Sequence, residues 1–207
     1  LKEFTHIGWI GWSPQIWYVK ADSKFKTIED VQATLKSGKN INAAVDGLST
    51  QANVLSVQKF NPDGKNMTLV RYKGSPQAFN DILGGFVDIA NASVSSLILE
   101  GAKSGKIRIL GTTTKFPVTL AGNTIPRAEP ILLSPQFNGG FLISVSSSQA
   151  NTVEGKKLRA DVLKVINSEY VSNKLATINI TVDGKGKQYV EKLLVNYRKD
   201  VNSILGK

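Results

Sequence analysis

Cysteine is absent, and histidine occurs once, at His6. The first absence excludes disulfides, thiolate metal sites and a cysteine nucleophile. The second leaves a serine triad only one base to use, and no G-x-S-x-G elbow supplies its serine. His6 therefore reads as a structural or surface residue. No cluster of ligating side chains at helical or hairpin spacing suggests a metal centre. No G-x-x-x-x-G-K-[ST] loop occurs, and no G-x-G-x-x-G follows a strand, so the sequence implies no cofactor. A catalytic carboxylate pair stays open, because sequence spacing does not reveal one. No apolar run is long enough to span a bilayer, and no basic-then-apolar leader stands at the start.

Acidic residues are the minority, 16 against 26 Lys and Arg, for a formal net charge of +10. Such a balance raises the question of nucleic acid. The lysines, however, are scattered (Lys2, Lys20, Lys24, Lys26, Lys36, Lys39, Lys59, Lys65). No aromatic-rich basic run offers a base-stacking platform. A solvated basic surface is the reading, with no nucleic-acid partner. The 207 residues, 41% hydrophobic, suffice to bury a core in one large or two small domains.

Strand and helix patterns alternate. "QIWYV" (Gln15 to Val19), "INAAV" (Ile41 to Val45), "MTLVRY", "FVDIA", "KIRILGT", "FLISVS" and "NITV" read as strands. "TIEDVQATLKSG" predicts a helix capped by Thr27, with Ile28, Val31 and Leu35 on one face and Gly38 as its stop. "DGLSTQANVLSVQKF" turns at Asp46-Gly47 and enters a helix capped by Ser49 or Thr50. "VSSLILEGAKSG" is helical, as is "TVEGKKLRADVLKVINSEYVSNKLATI" with a break near Ser168, and "GKQYVEKLLVNYRKDVNSIL" is a long amphipathic helix. The stretch from Thr114 to Asn138 holds four of the seven prolines and reads as a long connection. This alternation predicts an α/β fold on a mostly parallel sheet.

One device recurs. Strand ends lead into helix starts rich in Gly, Ser and Thr, at Gly47-Leu48-Ser49-Thr50-Gln51 and at Gly74-Ser75. In the second, Ser75 suits an N-cap, Pro76 the first helical position and Gly84 the left-handed stop. Helix starts expose backbone donors and a partial positive charge. Ligands of α/β sheets bind at the carboxyl ends of strands. Donors and hydroxyls without a general base suit the holding of a carboxylate; ordinary capping accounts for the same residues.

The order of these segments resembles the Bug-type receptors, the periplasmic solute-binding proteins of tripartite tricarboxylate transporters. The resemblance rests on Gly47, Ser49, Thr50 and Gln51; on Val70, Tyr72, Lys73, Gly74, Ser75 and Ala78; on Asp81, Ile82, Leu83, Gly84, Gly85, Val87 and Asp88; and on Ser104, Gly105, Lys106, Ile107, Arg108 and Leu110. Gln51 stands where the family usually has histidine, and Asn91, Ala92 and Ser93 replace its Phe-Asp-Asn.

The resemblance implies a periplasmic-binding-protein-like (type II) two-lobe architecture, here one complete lobe and the C-terminal part of the other. Residues 1–13 would be a crossing strand from the incomplete first lobe, 14–138 the second lobe, and 139–207 the return crossing with the rest of the first. About one hundred residues of first lobe, the size of a small domain, would be missing, which makes the chain a fragment. The implied protein is periplasmic and non-enzymatic, monomeric when intact. It captures a small mono- or dicarboxylate between its lobes and works with membrane transporter subunits. Ser49, Thr50, Gln51 and the N–H groups of Gly47, Gly74 and Ser75 would hold the solute. The lobes would hinge near Ser13 and Gly139-Gly140. Trp12, beside the crossing, could stack on a planar solute, although core packing is the plainer reading; Trp9 and Trp12, three apart, would point to opposite faces of a regular strand. The rival readings are an α/β transferase or hydrolase using a carboxylate pair, and a basic nucleic-acid-binding domain.

Overall fold

Thr27 begins a helix as the sequence predicts. In the computed structural model, which describes residues 3–46, 57, 60–114, 118–120, 123–127, 139–178 and 180–204, the Thr27 hydroxyl accepts the Asp30 N–H, and the Asp30 carboxylate accepts the Thr27 N–H. This reciprocal cap satisfies two donors that a helix start otherwise leaves to water. The helix Ile28–Lys36 buries Ile28, Val31 and Leu35. Gly38 follows at φ +83°, where glycine avoids a Cβ clash.

The chain divides into two compact units, Pro14–Gly139 and Leu1–Ser13 with Gly140–Lys207. The first is built on a five-stranded sheet. Its strands are β2 (Gln15–Lys20), β3 (Ile41–Asp46), β4 (Met67–Tyr72), β5 (Ile89–Ser93) and β6 (Ile107–Thr112), in the order β4-β3-β5-β2-β6. β3 is parallel to β4 and to β5. β2 is antiparallel to both β5 and β6, so four of the five strands run one way, as a mostly parallel sheet requires, and β2 alone runs against them. β2 enters directly from the preceding strand rather than through a crossover helix, and no right-handed crossover fixes its direction.

Side chains alternate between the two faces of this sheet. On one face Ile16, Tyr18, Ala44, Ala90 and Ala92 pack with Ala78, Phe79 and Ile82 of the helix Ser75–Gly84 and with Ile98 and Leu99 of the helix Ser96–Lys103. On the other, Trp17, Val19, Ala43, Val45 and Ile89 pack with Ile28, Val31 and Leu35 and with Val57 and Phe60. The Trp17 and Phe60 rings stack at 4.6 Å.

The helix Ser75–Gly84 shifts by one residue from its sequence reading. Gly74, not Ser75, is the N-cap, and Gly85, not Gly84, takes the left-handed position at φ +74°. The Phe86 N–H donates to the Asp81 carbonyl and the Gly85 N–H to that of Ile82, a Schellman stop. That stop consumes Phe86, which is exposed, so "FVDIA" does not start a strand; β5 begins at Ile89. Asp88 instead ties into β3 by both its groups: its N–H donates to the Asn42 carbonyl, and its carboxylate accepts the Asn42 N–H, each at 2.8 Å.

The second unit carries β1 (Phe4–Ser13) between β9 (Gly139–Ser146) and β10 (Thr181–Gly186). The break near Ser168 is real. The helices Val153–Ile166 and Glu169–Ala176 are separate, and Ser168 caps the latter by accepting the Val171 N–H. β10 begins later than "NITV" suggests. The final helix, Lys187–Ile204, follows it directly. The stretch expected to be a bare connection, Thr114 to Asn138, contains a hairpin of β7 (Val118–Leu120) and β8 (Asn123–Ile125), which adds Val118, Leu120 and Ile125 to the core. Among the described residues no helix is long and apolar enough to cross a membrane.

Candidate functional site

Asp46 and Tyr72 are register partners at the last rung of the parallel β3–β4 ladder, so the chain leaves both strands at one edge of the sheet. It then leaves to opposite faces. The connection after β3 places Val57 and Phe60 against Trp17, whereas the helix after β4 places Ala78, Phe79 and Ile82 against Tyr18. Two adjacent parallel strands whose connections part to opposite faces open a crevice at their carboxyl ends, the usual ligand position of open α/β sheets.

One wall of this crevice is Lys73-Gly74-Ser75. Gly74 is extended (φ 178°, ψ 166°), which any residue could adopt. Among the described residues, a Cβ on it would meet nothing nearer than the Pro76 Cδ, at 3.7 Å. Local packing therefore does not demand glycine here; its effect is to keep the approach to the helix start bare. Pro76 has no N–H, so the first-turn donors are those of Gly74, Ser75 and Gln77. The turn is braced from behind, where the Tyr72 hydroxyl donates to Asp81 Oδ2. Of the other candidates, Gly47, Ser49, Thr50 and Gln51 lie outside the described residues; their segment departs from Asp46, beside Tyr72.

Sequence reasoning missed a polar group at the same rim. β2 starts where β5 and β6 end, and Gln15 is the register partner of Ser93. Gln15 is fully buried, and its Nε2 donates to Ser93 Oγ at 2.5 Å. Its backbone carbonyl accepts from the Thr112 hydroxyl and from the Thr113 N–H. Thr112, Thr113 and Thr114 are buried too. Gln15 Oε1 and Ser95 Oγ are buried without a partner among the described residues. The available signals were the S-x-S and T-T-T runs that end two strands, which read equally well as caps.

Trp12 is 7% exposed, and its ring lies 4.5 Å from that of Trp9. The two do not point to opposite faces, because the ladder to β10 is irregular between Trp9 and Gly11 and strict alternation lapses there. His6 Nδ1 is hydrogen-bonded to Ser144 Oγ at 2.9 Å and pins β1 to β9. A cavity of about 490 Å³ lined by Gln32, Lys36, Asn61 and Asn66 sits at the opposite rim, where β3 and β4 begin, and so is no part of the crevice.

The architecture is α/β, of the type II periplasmic-binding-protein kind. A TctC solute binding protein from Polaromonas superposes with a TM-score of 0.73 at 16% identity, over 99% of this chain and 70% of that one. R. palustris Rpa4515, solved with adipate, gives 0.76 at 21% over 99% and 69%. MatC from Rhodopseudomonas palustris, solved with bound malate, gives 0.73 at 14% over 97% and 69%. Residues 1–120 match the family described as tripartite tricarboxylate transporter family receptor, and the chain belongs to that family. A curated relative, the UPF0065 protein in the tcbD-tcbE intergenic region of Pseudomonas sp. (strain P51), is 23% identical over 97% of this chain; the chain spans 63% of that relative's length. The family consists of solute-binding receptors, and neither rival reading, enzyme or nucleic-acid binder, draws support from it.

Proposed function

We propose that this chain is part of an extracytoplasmic receptor that captures a small mono- or dicarboxylate and presents it to membrane subunits of a tripartite tricarboxylate-type transporter. The observation that carries the reading is the crevice at Asp46 and Tyr72, where connections part to opposite faces beside a helix start stripped of side-chain cover. A carboxylate set there receives backbone N–H donors of Gly74 and Ser75. Charge-assisted bonds of this kind are shorter and stronger than neutral ones, and the helix start adds its partial positive charge. Ser49, Thr50 and Gln51, with the Gly47 N–H, supply the facing donors. No chemistry follows binding, and the solute is held and released unchanged in the periplasm. Adipate and malate, found in two structural relatives, set the size of solute to test first. We assign Trp12 to packing rather than to stacking on the solute, since its ring is spent on Trp9.

Calorimetric titration of the intact protein with a panel of mono- and dicarboxylates tests this. At least one member binds, without turnover. Ser49→Ala weakens that binding by about 1–3 kcal/mol, the scale of leaving a buried charged acceptor short of a donor, and Gly74→Val weakens it by covering the approach. A panel in which nothing binds overturns the reading.

A further inference from the structure

We infer that Gln15, with Ser93 and Ser95, forms a second polar subsite on the same rim that reads a hydroxyl group on the solute. The inference rests on the carboxylate-receptor reading and narrows it to hydroxy-substituted acids.

The starting observation is an imbalance. Gln15 is fully buried, and its amide is half used: Nε2 donates to Ser93 Oγ, while Oε1 has no partner among the described residues. A buried acceptor without a donor is costly, and native structures rarely keep one without a reason. Ser95 gives an independent sign. It is the N-cap of the helix Ser96–Lys103, yet its side chain makes no capping bond, and its Oγ is buried without a partner among the described residues. Serine at that position ordinarily accepts a first-turn N–H; here the hydroxyl is withheld from it.

The two atoms belong together. Gln15 and Ser93 are partners across an antiparallel ladder, so their side chains share a face. Ser95 stands two residues after Ser93, just past the end of β5, where the chain turns into the helix Ser96–Lys103. The crevice between β3 and β4 lies on the order of 10 Å away along the rim, about two strand spacings. Gln15 shares the Trp17 face and the helix start lies over the Tyr18 face, so a solute whose carboxylate sits on the helix start extends toward Gln15 across the rim of the sheet. Ser93 and Ser95 are only partly buried and mark the side from which Gln15 is approached.

The chemistry of the pair selects the group. Amide Oε1 only accepts, so its complement must donate; a serine hydroxyl both donates and accepts. A solute hydroxyl donates to Gln15 Oε1 and accepts from Ser95. A methylene at the same place leaves both protein atoms unpaired, and sites built to bond a hydroxyl reject the analogue lacking it.

The test uses the intact protein and two matched pairs that differ by one hydroxyl, succinate with malate and adipate with 2-hydroxyadipate, titrated calorimetrically. In at least one pair the hydroxylated acid binds about tenfold more tightly, the worth of one net hydrogen bond. Gln15→Met removes that preference, and Gln15→Glu, which keeps an acceptor, retains it. Should Gln15→Met not fold, Ser95→Ala serves in the same comparison. Equal affinity within both pairs, or a preference that survives Gln15→Met or Ser95→Ala, overturns the subsite and leaves the carboxylate receptor standing. Failure of all four acids to bind overturns the receptor reading, and the subsite with it.

Discussion

The Tyr72 phenol, at the end of β4, donates a 2.5 Å hydrogen bond to Asp81 Oδ2, nine residues on in the helix that follows. Burial, reinforced by the bond to Asp81 and by its charge, pushes the phenol up to about 12. The raised value means that the fold favours the neutral phenol. Its contribution to stability is complete below the unfolded value of about 10 and is lost as pH rises through about 12. Tyr72→Phe should cost about 1–2 kcal/mol in urea unfolding at neutral pH. The ultraviolet difference titration between parent and variant should show one phenol ionising near 12; a midpoint at the ordinary value would mean that the bond to Asp81 is not made in solution.

Gly85 and Gly140 should respond to alanine for different reasons. At Gly85 an added Cβ meets nothing within 4 Å, and only the positive φ of 74° opposes it; Gly85→Ala should cost about 1 kcal/mol. At Gly140 the Cβ would fall 2.0 Å from the Trp9 ring. Gly140→Ala must displace that ring and should cost more, about 1–3 kcal/mol, with a shift in tryptophan emission that Gly85→Ala does not produce. Equal losses with unchanged emission would show that Trp9 does not cover Gly140.

Trp12 packs on Trp9 and is nearly inaccessible. Trp12→Ala should therefore destabilise by about 3–5 kcal/mol, as aromatic truncations in cores do, whereas Trp12→Phe should fold and bind solute as the parent does. A Trp12→Phe variant of unaltered stability that loses affinity would return the ring to the solute site.

The cap at Thr27 predicts acid lability of one helix. Backbone N–H donors of Lys26 and Thr27 hold the Asp30 carboxyl below its usual value. A depressed value means stability present above the ordinary carboxylate range and lost as pH falls through the folded one. Thr27→Ala should cost about 1 kcal/mol near neutrality. Asp30→Asn should flatten the acid limb of the stability profile on the acid side of the ordinary carboxylate range, where the lowered Asp30 carboxyl is protonated; an acid limb identical to the parent's would show that the cap is open in solution.

Local chemistry was legible wherever neighbours in sequence make the structure. Thr27, Asp30 and Gly38 bound the first helix because caps and stops are satisfied within a few residues. Ser168 splits two helices for the same reason. The strand-to-helix turn at Gly74-Ser75 was visible too, displaced by one residue because Gly84 and Gly85 compete for one left-handed position and only the backbone bonds to Asp81 and Ile82 decide between them. Tertiary structure alone settled three other matters. It ran β2 antiparallel between β5 and β6, since strand direction depends on where the chain enters the sheet. It brought Trp9 onto Trp12 through an irregular rung that alternation does not foresee. It also set Gln15 against Ser93, 78 residues away, where an amide half-satisfied in the interior can be recognised only once its surroundings are known, because burial and partnership are properties of the packed chain and not of the residue.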